Sequence, residues 1–258
     1  MNILNTIKAN TTYKYRIKIR FKLQSIKAFF YMFDLDRIAT IHKTDKNGSH
    51  FYTQHYQNHF NRFQFKKINL LEIGVGGYDC PISGGESLRM WKSFFPFAKI
   101  VSIDIFDKSF HEEKRIKIFK GNQIDELFLE TVCNKSGMFD IIIDDGSHIN
   151  EHVIKSFEFL FPKLKKGGIY AIEDTQTSYW EDYGGSSTNL NMKGTIYHYF
   201  KSLVDSLNHE ELFFDDYQKT YYDKHIISIH FYHNLIFIYK GDNNEKSNYL
   251  VNNKKIRE

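Results

Sequence analysis

Cysteine is scarce: the 258 residues hold two, Cys80 and Cys133, far apart and in no Cys-x-x-Cys pair. A disulfide scaffold is excluded on that ground, and a reducing compartment is expected. Proline is rarer than usual, and each of the three sits at an apparent element boundary. No run approaches the roughly 18 consecutive apolar residues of a transmembrane helix. The N-terminus also lacks the continuous apolar segment of a secretory signal. These absences predict a cytoplasmic protein. Neither an internal repeat nor a low-complexity block occurs. Strong net charge is missing too: Lys and Arg number 35 against 31 Asp and Glu, a formal charge of +4. The molecule as a whole is not strongly basic, and no nucleic-acid partner is expected.

Hydrophobic residues make up 41% and aromatics 17%, enough to build the core of one large domain or of one domain with an appendage. The modest charge is unevenly spread. Residues 1–33 carry Lys8, Lys14, Arg16, Lys18, Arg20, Lys22 and Lys27 and no acid. Within them "YKYRIKIRFKL" alternates apolar and basic residues strictly from Tyr13 to Leu23, and period two predicts a strand with one basic face. Such a basic arm suits a solvated edge strand, packing on a sister subunit in a homo-oligomer, or contact with an anionic membrane surface at the inner face of the membrane. The organisation expected is a basic arm over 1–33, a helical region over 34–66, a ligand-binding domain over 67–242 and a polar, frayed tail over 243–258.

Between arm and tail, strand and helix alternate. "INLLEI" (68–73), "KIVSID" (99–104), "IKIF" (116–119), "FDIIID" (139–144) and "GGIYAIE" (167–173) read as strands. "SLRMWKSFF" (87–95), "IDELFLETV" (124–132) and "INEHVIKSFEFLF" (149–161) read as helices, the last placing Ile149, Val153, Phe157 and Leu160 on one face. "IISIHF" (226–231) and "LIFIYK" (235–240) form a hairpin. The fold class predicted is α/β and Rossmann-like, with a mostly parallel seven-stranded sheet and a C-terminal antiparallel hairpin. Ligands of such sheets bind at the carboxyl ends of the strands.

Those ends are polar. The first strand runs into "EIGVGGYD", where Gly74, Gly76 and Gly77 permit a tight turn and close approach to a ligand. On its own this loop is equally compatible with an ordinary tight turn. The second strand ends in Asp104, whose carboxylate can accept both hydroxyls of a ribose. The spacing is not that of a pyrophosphate-binding loop, so a nucleoside cofactor without phosphate fits better, and S-adenosylmethionine is the obvious one. Glu72 and Gln123 suit the same site, Gln123 toward the adenine. A rival reading, a short-chain dehydrogenase with Tyr197-x-x-x-Lys201, lacks the N-terminal glycine pattern of such enzymes.

Strand four ends in "DDGSH", giving Asp144, Asp145 and His148, and strand five ends in Glu173 and Asp174. Asp144 is assigned to the cofactor side. Carboxylates gathered at neighbouring strand ends repel one another unless neutralised. Either a hard divalent cation such as Mg²⁺ or a set of helix caps and lysine partners would answer this. Beside a cation holding a hydroxyl-bearing substrate, His148 suits a general base. Tyr52, Gln176, Tyr179 and Trp180 are candidate walls of an acceptor site, or ordinary packing.

Seven segments carry a family resemblance: "KTDKNGSHFYTQHY" (43–56), "LLEIGVGGYD" (70–79), "GGESLRMWKSFFP" (84–96), "SIDIFDKS" (102–109), "FDIIIDDGSHINEH" (139–152), "IEDTQTSYW" (172–180) and "ISIHFYHNLIFIYKG" (227–241). The sequence resembles the S-adenosylmethionine- and Mg²⁺-dependent sugar O-methyltransferases of the mycinamicin macrolide type, which have the class I methyltransferase fold. The resemblance implies metal ligands at Asp145, Glu173 and Asp174 and a catalytic base at His148. Where that family carries a large N-terminal domain, this chain has a basic arm and a short helical region, and "KTDK" stands for the usual "GTDK". The acceptor expected is therefore a sugar of a surface polysaccharide, glycolipid or nucleotide sugar rather than a macrolide. A catechol-type methyltransferase and a non-catalytic, membrane-associated binding protein of the same fold are the alternatives.

Overall fold

The computed structural model describes residues 3–214 and 216–255. The first two residues of the expected arm and the last three of the expected tail lie outside the described residues. The chain divides into two compact units, Met1–Gly121 and Asn122–Glu258.

The first unit opens with helix α1 (Ile3–Phe29), followed by α2 (Leu35–His42) and α3 (Thr53–Phe60). The arm is thus helical, not a strand. An unpaired strand would leave its backbone N–H and C=O groups to water, whereas a helix satisfies them internally. Among the described side chains of α1, Ile17, Phe21 and Ala28 are buried, at helical spacing. Strand β1 (Asn69–Ile73), helix α4 (Glu86–Phe94), strand β2 (Lys99–Asp104) and strand β3 (Ile116–Lys120) complete the unit. β1 pairs parallel with β2, and β2 with β3. The helices meet in an aromatic core: Trp91 lies edge-on to Tyr56 at 5.0 Å and to Phe60 at 5.8 Å, with all three fully buried. Arg115 closes the end of α4 by donating to the carbonyls of Lys92, Phe95 and Ala98 at 2.9–3.0 Å.

The second unit holds α5 (Glu126–Ser136), β4 (Phe139–Asp144), α6 (Asn150–Leu160), β5 (Leu164–Glu173), α7 (Ile196–Leu207), α8 (Tyr221–His225), β6 (Ile226–Tyr232), β7 (Leu235–Lys240), β8 (Leu250–Val251) and β9 (Lys254–Lys255). β4 and β5 are parallel, while β7 runs antiparallel to both β5 and β6. The result is the expected seven-stranded, mostly parallel sheet, ordered β3-β2-β1 in the first unit and β4-β5-β7-β6 in the second. On α6 the residues Val153, Phe157 and Leu160 are buried, and Phe157 packs on Phe161, Tyr170 and Phe200 at 4.8–5.1 Å. Ile149 precedes the helix in extended conformation and is only half-buried. The expected frayed tail instead forms the β8–β9 hairpin. Asn252 and Asn253 turn it with positive φ, and Asn253 donates to the carbonyls of His209 and Leu212 at 3.0 and 2.7 Å. No described helix is long and apolar enough to cross a membrane.

Candidate active site

In the first unit, β1 ends in a loop whose Gly74, Gly76 and Gly77 all have positive φ. The amide of Gly85 donates to Val75 O at 2.7 Å and folds residues 83–85 back onto the turn. The contact is closed to side chains: a Cβ on Gly84 would stand 2.3 Å from Gly76 O, and one on Gly77 2.5 Å from the Ser83 carbonyl carbon. Asp104, at the end of β2, accepts from Val75 N at 3.0 Å and from Phe106 N at 2.8 Å. One carboxylate therefore holds the glycine turn beside the loop that follows β2. Glu72 is buried and ion-paired with Lys46 at 3.5 Å, both side chains being fully excluded from solvent. Lys108, also fully buried, donates to Cys80 O at 2.8 Å and Ser83 O at 3.3 Å. Tyr52 is buried at the start of α3 and stacks on His50 at 4.7 Å.

In the second unit, the ends of β4 and β5 bring Asp145, His148 and Asp174 together. One potential ligand atom from each lies within 4.8 Å of the others. His148 Nε2 is 3.9 Å from Asp145 Oδ1 and 3.7 Å from Asp174 Oδ2, and all three side chains are about a fifth to a quarter exposed. Two of the three hold strained backbone, His148 with φ 57° and Asp174 with φ 52°. Non-glycine residues adopt this region rarely, His and Asp more readily than most. His148 Nδ1 is buried without a hydrogen-bond partner among the described residues. Asp145 and Asp174 are hard oxygen donors that suit a divalent cation, and the His148 imidazole stands beside them. Glu173 is the last residue of β5, buried and in register with Leu235, and is not among these three grouped residues.

Asp144 and Gln123 lie beneath this cluster. The Gln123 amide donates to Asp144 Oδ1 at 3.3 Å and to Ser156 Oγ at 3.0 Å, and its carbonyl accepts from Ser147 N at 2.8 Å. It thus braces the 144–147 turn against α6. Burial pushes the Asp144 carboxyl up to about 7, against the opposing pull of the Gly146 amide and Gln123. Beyond Asp174 the chain makes a short 3₁₀ turn over Thr175–Tyr179. Gln176 Oε1 is buried and unpartnered among the described residues. Tyr179 packs on Tyr197 at 5.3 Å and Trp180 on Tyr183 at 5.9 Å, each ring partly exposed. Tyr197 gives its hydroxyl oxygen to Thr175 at 2.9 Å, while Lys201 is exposed, so the dehydrogenase-like spacing reflects packing on α7.

Sequence reasoning passed over Asn150. Its amide donates to Thr177 O at 3.1 Å and Tyr183 O at 2.8 Å, and its oxygen accepts from Ile196 N at 2.7 Å. One buried side chain thereby ties the segment after Asp174 to the start of α7. An asparagine two residues past His148 was the available signal, and it also reads as an ordinary helix start.

The seven-stranded sheet with its antiparallel C-terminal strands has the α/β fold of the class I methyltransferases. The chain is similar to the macrolide sugar O-methyltransferases. It is 46% identical over 214 residues to mycinamicin VI 2''-O-methyltransferase of Micromonospora griseorubida. Identity to demethylmacrocin O-methyltransferase of Streptomyces fradiae is 48% over 214 residues, in each case 82% of this chain and 54% of the relative. The MycE methyltransferase of the mycinamycin biosynthetic pathway, solved in complex with Mg and SAH, superposes with a TM-score of 0.80 at 46% identity, over 83% of this chain and 56% of that one. The chain spans about half the length of the curated relatives it matches. No family model matches it.

Proposed function

We propose that the chain is an O-methyltransferase that moves the methyl group of S-adenosylmethionine to a sugar hydroxyl with the help of a divalent cation such as Mg²⁺. The observation that carries this reading is the convergence of Asp145, His148 and Asp174 within 4.8 Å at the ends of two parallel strands. Asp145 and Asp174 would hold the cation, with Glu173 contributing from the end of β5. When bound, the cation would acidify and orient the acceptor hydroxyl. Gly74, Gly76 and Gly77 shape the cofactor loop, Gly77 by packing on the Ser83 backbone, and Asp104 retains acceptor capacity for the ribose hydroxyls. Glu72, Gln123 and Asp144 belong to the cofactor side in this reading, Gln123 bracing the turn after Asp144.

His148 acts as the base. Its Nε2, 3.9 Å from Asp145 Oδ1 and 3.7 Å from Asp174 Oδ2, stands beside the cation site, where it would take the hydroxyl proton. When bound, S-adenosylmethionine would supply the methyl group to the deprotonated sugar oxygen, its sulfur keeping the electron pair of the broken carbon–sulfur bond. Holding the two reactants in line is the largest task left to the protein. Gln176, Tyr179 and Trp180 would line the acceptor side.

The acceptor is a sugar of a surface polysaccharide, a glycolipid or a nucleotide sugar, handled in the cytoplasm at the inner membrane face. Titration calorimetry with S-adenosylmethionine and Mg²⁺, followed by methyl transfer to paired sugar and phenolic acceptors with and without EDTA, tests this. Transfer to sugars that EDTA abolishes is expected. Full activity in EDTA would remove the cation, transfer to phenols alone would make the enzyme catechol-type, and binding of neither ligand would make the protein non-catalytic.

A further inference from the structure

A strict two-residue alternation wound onto a helix does something that it does not do in a strand. Every fourth residue returns to about the same face, with a drift of about 40°. The apolar residues of 13–23 therefore split between two opposite sides of α1, and the basic residues fill the gaps between them. One apolar side is buried from Ile17 through Phe21 to Ala28, its first residue Tyr13 being exposed. The other comprises Tyr15, Ile19, Leu23 and Ile26, and these are 39–67% exposed. Phe29, Phe30 and Phe33 extend exposed apolar surface past the helix end. Lys14, Lys18 and Lys22 run along one flank of the exposed side, and Arg16, Arg20 and Lys27 along the other. Lys14 and Lys18 lie over the Phe110 ring at 6.0 and 5.3 Å.

We infer that this outer side of α1 docks the protein onto an anionic lipid surface, its apolar ridge entering the headgroup boundary and the exposed Arg16, Lys22 and Lys27 beside it reaching lipid phosphates. Charge pattern selects this occupant. A helix lying in the plane of a membrane has an apolar stripe bordered by long cationic side chains that reach up to the headgroups. Each such cation adds attraction to an anionic leaflet. Residues 1–33 contain no acid to oppose it. A second copy of the same side is disfavoured, because ridge-on-ridge pairing would set basic rows against basic rows. A nucleic acid would meet greasy side chains where its phosphates need cations. The inference rests on the membrane-face location proposed above, and the flotation test reads it without reference to the methyl-transfer chemistry.

Vesicle flotation of the full chain tests it without any measurement of activity. The protein should float with vesicles of equal parts phosphatidylglycerol and phosphatidylcholine and not with phosphatidylcholine alone, and high salt should weaken binding. L23E/I26E should lower the bound fraction by about tenfold or more. The milder K22Q/K27Q, which leaves the apolar ridge intact, should lower it by about tenfold through the lost charge. Both variants should keep methyl transfer to a water-soluble acceptor. Absence of flotation with the anionic vesicles would overturn the inference. So would binding that neither variant reduces, duplex DNA displacing the vesicles, or a concentration-dependent dimer that L23E/I26E breaks.

Discussion

His111 shows how a single side chain is held in one protonation state. Arg89 Nη2 donates to its Nδ1 at 3.2 Å, which makes Nδ1 an acceptor and leaves Nε2–H for Ser83 O at 3.1 Å. A second ring proton would face a guanidinium, so burial and Arg89 hold the imidazole down to about 4. His148 has a different setting, its Nε2 turned toward the carboxylates of Asp145 and Asp174. A base there should be dispensable for binding and essential for turnover. His148→Ala is expected to lower kcat by at least about a hundredfold while S-adenosylmethionine affinity stays within about twofold. Single-turnover kinetics beside calorimetry check this, and an unchanged kcat would end the assignment.

At the scale of the element, Asn150 joins three pieces of chain through one amide. Asn150→Ala would leave the carbonyls of Thr177 and Tyr183 and the amide of Ile196 without their buried partner. The segment carrying Gln176, Tyr179 and Trp180 should then loosen. The acceptor KM is expected to rise about tenfold with cofactor affinity unchanged, and stability to fall by about 2 kcal/mol in urea denaturation. The strands were readable in advance because buried parallel strands are continuous apolar runs, and "KIVSID" and "FDIIID" match β2 and β4 residue for residue. The acidic strand ends were readable for the same reason, since charge after a buried run marks where the sheet reaches water. α1 was not, because period two describes a strand only where a neighbour exists to pair with it. The β8–β9 hairpin was missed because its strands are two residues each, leaving the Asn-Asn turn as the sole signal. Buried lysines were also hidden: Lys240, which caps the carbonyls of Phe161, Pro162 and Leu164, looks in sequence like any surface lysine.

For the whole molecule, pH is the most direct handle. His42 and His111 are both buried and both held near 4 in the folded protein. In the unfolded chain each titrates near 6.5. Between those values the unfolded state binds more protons, so stability is full above about 6.5 and is lost as pH falls toward 4. Each histidine contributes up to about 3 kcal/mol to that loss. Denaturation midpoints measured from pH 7.5 to 4.5 should drop steeply for the native sequence. His111→Asn should flatten the decline, and an identical slope in the two proteins would assign it to other groups. The paired glycines impose a further rule on anyone recombining this protein with a homologue. Gly84 leans on the Gly76 carbonyl and Gly77 on the Ser83 backbone, so each half of the loop is shaped to the other. A crossover placed between positions 78 and 82 would yield folded chimeras only when both parents carry glycine at 77 and at 84, and breeding schemes should keep that stretch as one heritable block.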